Sequence, residues 1–331
     1  MLVSDGMQDF PITICSRSLP VHRGKRGPVT SLLEEAGYQV TRVVDGPLEV
    51  AANGVVWILG NANWLPVICR QLAGKSRHER PFVVFWHTEP LPPPKASGLP
   101  WPRLHLREIA KILLRDPRAT DVYTNYFCLR RLTGKGLPDL LVVSTLGRRE
   151  FLVERGIAAH WVPLGYYPSS HGHDMGLPRD IEALFLGALE IPRRKRLIKH
   201  LRRCGVNLLA VGSWSDPEYW GENRTRLLNR TKILLNISRH PGNLSDHRMN
   251  LGMANKALVI SEPMYNPAPY VPGKHYISAT IEEMPEVISY YLAHDDERQR
   301  IVNEGHRLVT QEVTMARSVS RILELIRECI N

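Results

Sequence analysis

Residues 245–263 read SDHRMNLGMANKALVISEP. The stretch has a polar start, a short helical segment and an apolar run that stops at a carboxylate. Asp246 can cap the N-terminus of the helix. Met249, Leu251, Met253 and Ala254 give the helix an apolar contact surface, and Asn255–Lys256 ends it. Ala257–Ile260 is the short apolar run of a buried parallel strand, closed by Ser261–Glu262–Pro263. Open α/β sheets bind ligands at the carboxyl ends of strands and at helix N-termini. This segment supplies one of each, with Arg248 in the first helical turn and Glu262 at the strand tip.

The same alternation runs through the rest of the chain. Strand-like runs fall at Pro11–Ser16, Gln39–Val44, Gly54–Gly60, Pro81–His87, Asp121–Asn125 and Leu140–Ser144. Ile181–Leu186, Val206–Val211 and Lys232–Ile237 continue the series, and His275–Ser278 is a further short strand. Helical segments between them predict parallel βαβ units. From Ile281 the spacing becomes helical, ending with a helix over Thr314–Ile330. Between the halves, Pro168–Pro178 (PSSHGHDMGLP) has no apolar periodicity and reads as an interdomain linker. The expected organisation is an N-terminal domain over 1–167, a linker over 168–180, a C-terminal domain over 181–312 and a last helix over 313–331.

A chain of 331 residues is long enough for two domains with separate cores. No apolar run reaches membrane-spanning length, and the first residues lack the pattern of a signal peptide. A cytoplasmic location is therefore expected. Cys15, Cys69, Cys128, Cys204 and Cys329 are scattered, with no spacing that suggests a metal site, and read as reduced thiols. The net charge of +10 favours anionic partners. Its small basic clusters, at His22–Arg26, Arg193–Arg196 and Arg202–Arg203, are not interleaved with aromatics as a base-stacking platform would be. No specific nucleic acid is expected as a partner, whereas peripheral membrane contact stays open.

Candidate site residues fall at the predicted strand ends. In the first half, Gly24 and Gly27 precede a helix, and Gly60–Trp64 and Trp86–Pro90 end two strands. His87 and Glu89 either supply or orient a general base, or are a hydrogen-bonded core histidine and a loop anion. The Pro-rich run after them, LPPPKASGLPWP, is either a mobile flap or a rigid connection. In the second half, Gly187 follows a strand, and Arg193 and Arg194 open a helix. Glycine permits close approach and arginine offers forked donors, so this is either a diphosphate site or a solvated basic helix face. Gly212–Ser213–Trp214 ends the next strand, and the loop carrying Ser238 and His240 leads into the central segment.

Arg248, its helix and the strand ending in Glu262 resemble the nucleotide-sugar-binding segment of GT-B glycosyltransferases. They are similar in particular to the spore-maturation-protein group of family-1-like enzymes. Residues 162–168 (VPLGYYP) and the strand, Gly187, loop and Arg193 share the resemblance. It implies two Rossmann-like domains facing across a cleft, with the C-terminal helix crossing back to the N-domain. It also implies metal-independent transfer of a sugar from a nucleoside-diphosphate sugar to a glycan, protein or small-molecule acceptor. The donor would lie against Gly187, Arg193, Arg194, Gly212, Ser213, Ser238, His240, Arg248 and Glu262, with Arg248 on the diphosphate and Glu262 on a hydroxyl. Trp214 would stack on the base or simply pack. The acceptor would lie at the first sheet, near His87 and Glu89. No DxD motif is present, and neither a metal nor a cofactor is expected. Two positions depart from the group: Leu251 stands where a Glu is common, and Lys256 where a Gly is usual. Retention or inversion is left open by Leu251. A catalytically silent binding protein on the same fold is the competing reading, and a basic nucleic-acid-associated protein is a third.

Overall fold

The structure is a computed structural model and describes residues 10–15, 27–43, 52–60, 65–72, 74–102, 106–114, 122–212 and 216–330. Gly24, the basic cluster 22–26, the tip at 61–64, Ser213 and Trp214 lie outside the described residues. The chain divides into two compact units, Met1–Val162 with Ser318–Asn331, and Pro163–Arg317.

The first unit is built on six parallel strands. These are β1 (Ile12–Cys15), β2 (Val40–Val43), β3 (Val55–Gly60), β4 (Phe82–His87), β5 (Leu140–Val143) and β6 (His160–Trp161), in the order β2-β1-β3-β4-β5-β6. β4 is buried along its whole length and β3 over its first residues, because helices cover both faces of a parallel sheet. The helices are α1 (Pro28–Glu35), α2 (Leu65–Leu72), α3 (Leu106–Leu113), α4 (Val122–Thr133) and α5 (Leu146–Val153). Of the strand expected at Asp121–Asn125, Asp121 lies outside the described residues and Val122–Asn125 is instead the start of α4. Its aromatic residues favour a strand, but Val122, Tyr126 and Leu129 bury one face at helical spacing, and that periodicity wins.

The second unit carries β7 (Ile181–Leu186), β8 (Leu208–Val211), β9 (Thr231–Asn236), β10 (Leu258–Ser261) and β11 (Ile277–Ser278). All pair in parallel, in the order β11-β10-β9-β7-β8. The chain steps outward from β7 to β8 and returns on the other side as β9. The gap between β7 and β9 is therefore the topological switch point, where open α/β sheets hold ligands. Its helices are α6 (Pro168–His171), α7 (Pro192–Arg203), α8 (Gly221–Asn229), α9 (Asp246–Ala254), α10 (Met284–Ala293) and α11 (Asp295–Arg307), followed by a π-helical turn, Leu308–Glu312.

The final helix, α12 (Met315–Ile330), contributes residues from Ser318 onward to the first unit. There it buries Val319, Ile322, Leu323 and Ile326, and Arg327 donates to the Tyr38 hydroxyl. The stretch 168–178, read as a linker, is pinned to the second unit. Asn255 donates to the His171 carbonyl at 2.7 Å, Asn229 donates to the His173 carbonyl at 2.9 Å, and Met175 N–H donates to Asn229 Oδ1 at 2.6 Å.

Helix α9 shows how the sequence fixes the position of one element. Asp246 is its first helical residue and not its cap; Ser245 holds the N-cap position without a side-chain bond. Its C-terminus closes as a Schellman motif, with Ala257 N–H on Gly252 O at 2.9 Å and Lys256 N–H on Met253 O at 3.2 Å. Lys256 takes the left-handed conformation that the motif demands, φ 53°. This is why a glycine suits the position, and the lysine offsets the strain with an ion pair to Asp174 at 3.0 Å. On the buried face, a Cβ at Gly252 would lie 2.4 Å from Val259 Cγ2 and 3.0 Å from Leu234 Cδ2. The helix approaches the sheet through a bare backbone. Gly252→Ala should gain about 1 kcal/mol in helix propensity but lose about 1–3 kcal/mol to overpacking. The expected net result is a lower denaturation midpoint in urea; a raised midpoint would mean that α9 can lift off β9 and β10 at little cost.

Candidate functional site

β7 ends at Leu186, and Gly187 then crosses Gly212 at the end of β8. Gly187 N–H donates to Val211 O at 2.9 Å. Gly212 has φ 125°, and a Cβ there would lie 2.8 Å from Gly187 N, so only glycine fits. A Cβ on Gly187 would lie 3.0 Å from Arg248 Nη2 and 3.6 Å from Arg194 Nη1. Two guanidinium groups thus converge on the backbone at the end of β7.

Both are held by neutral groups. Arg194 is buried and donates from Nε to the Ile237 carbonyl at 3.1 Å. Arg248 donates from Nη1 to Asn236 Oδ1 at 2.8 Å and to the same Ile237 carbonyl at 3.4 Å. Each guanidinium carbon lies 5.5 Å from the Phe185 ring centroid. Among the described residues neither has a carboxylate partner. Burial lowers the Arg194 pKa to about 10, with Arg239 and Arg193 adding to the effect. Burial, with Arg194 added, lowers that of Arg248 to about 9. Both groups are still cationic at neutral pH, and Glu190 and Glu262 offset the charge of Arg194 only through space, without an ion pair among the described residues.

Arg193 differs. It forks onto Glu262, with Nη1 on Oε2 at 2.9 Å and Nη2 on Oε1, and donates to Ser238 O at 2.7 Å. Glu262 Oε2 also accepts from Ser238 N–H at 3.1 Å. The ion pair across the site is therefore Arg193–Glu262, and Arg248 takes no part in it. Helix α7 starts at Pro192 and has no acidic residue in its first turn. Cations there oppose the helix dipole by about 0.3–1 kcal/mol each, a local penalty that an anion at the helix N-terminus would reverse.

Sequence reasoning overlooked Asn236. It is fully buried, accepts from Arg248, and donates from Nδ2 to Ser261 Oγ at 2.9 Å. The available signal was a polar residue closing the apolar run KILL. Ser238 shapes the following loop by donating from Oγ to Asn243 O at 2.9 Å, and His240 is half-buried within that loop. Leu251 packs in an apolar cluster with Leu184, Leu186, Leu228, Leu234 and Ala257.

His87 and Glu89 belong to the first unit. His87 ends β4, is fully buried, and among the described residues neither ring nitrogen has a hydrogen-bond partner. Phe85 meets it edge-on at 5.3 Å. Burial, with Arg148 added, lowers its pKa to about 3, so the ring is neutral at physiological pH. Glu89 is half-buried two residues further on. Among the described residues no group of three or more His, Cys, Asp or Glu is placed to hold a metal ion, and no helix is long and apolar enough to cross a membrane.

Residues 193–324 match the model of the Glycosyl transferase-like family. The match begins at Arg193 and contains Arg248 and Glu262. Sucrose-phosphate synthase from Thermosynechococcus elongatus superposes with a TM-score of 0.63 at 12% identity, covering 97% of this chain and 99% of its own. HepE from Anabaena, in complex with UDP and glucose, gives 0.60 at 10% identity, covering 96% and 100%. The UDP-forming α,α-trehalose-phosphate synthase from Burkholderia vietnamiensis gives 0.59 at 11% identity, covering 97% and 99%. The chain has the GT-B fold. No curated protein sequence matches it significantly. In the GT-B frame, the second unit carries Gly187, Arg193, Arg194, Gly212, Ser238, His240, Arg248 and Glu262, and the first carries His87 and Glu89.

His87 makes a pH prediction. Its pKa of about 3 in the folded chain lies below the ordinary 6.5. Between those values the unfolded chain takes up a proton that the folded chain refuses. Stability is thus full above about 6.5 and falls as pH drops towards 3. His171, buried with a pKa also lowered to about 3, adds in the same sense. Urea unfolding at a series of pH values should show a slope smaller by about 1.4 kcal/mol per pH unit in His87→Gln. An unchanged slope would mean that His87 protonates freely in the folded state.

Proposed function

We propose that this protein transfers a sugar from a nucleoside-diphosphate sugar to an acceptor, and that the second unit binds the donor diphosphate. The observation that carries this reading is the pair of guanidinium groups beside Gly187 at the β7/β9 switch point, those of buried Arg194 and half-buried Arg248, neither of which forms an ion pair with a carboxylate among the described residues. A buried cation without a counterion is costly, and a diphosphate supplies the missing charge with forked hydrogen bonds. The same groups would stabilise negative charge developing on the leaving diphosphate, largely as electrostatic preorganisation. In this reading protein cations take the place of a metal.

The Glycosyl transferase-like match over this segment, and the similarity in fold to HepE in complex with UDP and glucose and to a UDP-forming synthase, support sugar transfer. Within the family-1-like enzymes, the order Arg248, helix, strand and Glu262 favours the spore-maturation group, and hexosyl transfer is the proposed activity. Glu262, fixed by Arg193 and Ser238 N–H, is the acceptor for a ribose or sugar hydroxyl. His87, neutral and with both ring nitrogens unengaged, is the proposed polar contact for a substrate hydroxyl in the first unit, with Glu89 beside it. Cys15 and Cys204, neither of them in a disulfide, suit a reducing, cytosolic setting. Leu251, sealed in the apolar core, favours a second reading in which the site binds donor without turning it over.

The test compares UDP with uridine by calorimetric titration. Arg248→Lys and Arg194→Met should weaken UDP by roughly 1.5–3 kcal/mol and leave uridine nearly unchanged. Arg194→Met also removes a buried charge, so the ligand-free protein should melt no lower than the parent. Equal losses for UDP and uridine would reject the diphosphate assignment. Release of UDP from a panel of UDP-sugars separates transfer or hydrolysis from silent binding.

A further inference from the structure

Helix α3 carries its apolar stripe outward. Leu106 is 84%, Leu113 76% and Leu114 81% exposed, and Ala110 between them is exposed too. Positions 106, 110, 113 and 114 fall on one face at i, i+4, i+7 and i+8. One exposed leucine needs no explanation, but a row of them on an amphipathic helix does. Among the described residues α3 packs extensively against no other element.

The surroundings of α3 add aromatic and basic groups. Trp101, exposed just ahead of α3, lies 5.9 Å from Tyr123 of α4, whose hydroxyl donates to Pro102 O at 2.6 Å. Phe127, exposed on α4, stacks on Tyr123 at 6.4 Å. Arg130 and Arg131 lie at i+3 and i+4 from Phe127, and both are exposed, as is Lys135 beyond them. The sequence of α4, VYTNYFCLRRLT, contains no acidic residue.

We propose that α3, together with Trp101 ahead of it and the exposed Phe127, Arg130 and Arg131 of α4, forms a docking surface for an anionic phospholipid bilayer. The leucines would enter the acyl boundary, Trp101 and Phe127 would sit at headgroup level, and Arg130 and Arg131 would meet lipid phosphates. Charge complementarity selects this occupant over a second copy of the chain. A two-fold contact through this face would set basic residues against basic residues, in a chain whose net charge is already +10.

Vesicle flotation of the full chain tests the proposal. The protein should float with vesicles of equal parts phosphatidylcholine and phosphatidylglycerol, and far less with phosphatidylcholine alone. Leu113→Ser should lower partitioning about tenfold. Arg130→Gln with Arg131→Gln should lower it roughly thirtyfold on the anionic vesicles, with little change on neutral ones. All three positions are exposed, so circular dichroism and UDP affinity should stay as in the parent. No flotation with the anionic vesicles, or flotation that Leu113→Ser leaves intact, would overturn the proposal. So would light scattering that shows a dimer which Leu113→Ser dissociates, since the face would then belong to a second copy.

Discussion

Two guanidinium groups that form no ion pair with a carboxylate among the described residues, buried Arg194 and half-buried Arg248, constrain the second unit. Arg194 and Arg248 are tolerated because the dipoles around them are themselves held in place. The Ile237 carbonyl accepts from both, and Asn236 accepts from Arg248 while donating to Ser261. Ser261 in turn donates to the Glu262 carbonyl at 2.8 Å, and the Glu262 carboxylate is clamped by Arg193 and Ser238 N–H. The parallel register makes this chain of contacts achievable. Asn236 pairs with Ser261 across β9 and β10, so the polar ends of neighbouring strands lie at one edge of the sheet. A low dielectric strengthens every link of such a network and penalises any broken one.

The strand ends were legible in the sequence because each closes an apolar run with a glycine, a cation or a carboxylate. Gly187 and Glu262 could be named on that ground, and Arg193, Arg194 and Arg248 as cations in the first turns of the helices that follow. Which arginine would pair with Glu262 could not be read, because the answer depends on where α7 meets the end of β9. Asn236 was hidden for a related reason: its importance comes from a partner on another strand, and no local pattern marks it. The mistaken strand at Asp121–Asn125 has a different origin. There the aromatic content was given more weight than the helical spacing of Val122, Tyr126 and Leu129.

The two departures from the resembling group have separate physical meanings. Lys256 keeps the backbone geometry that a glycine would adopt more cheaply, and its side chain gains an ion pair in exchange. The left-handed turn forms here although the residue is not glycine. Leu251 is a chemical change, since its side chain lies among leucines in the sheet-facing core and offers no charge. The first departure leaves α9 and Arg248 where the fold needs them, and the second removes a carboxylate from that helix.

Helix α12 has a consequence for how the chain is made. The first unit is discontinuous: it opens the sequence, stops at Val162 and is completed only from Ser318 onward. Val319, Ile322, Leu323 and Ile326 are buried, so this return is part of the packed interior. A ribosome delivers these residues only after the whole of the second unit has emerged. The unit that starts first is therefore finished second, and until then it must wait with an apolar face uncovered. The continuous second unit is under no such delay and can close while synthesis is still in progress.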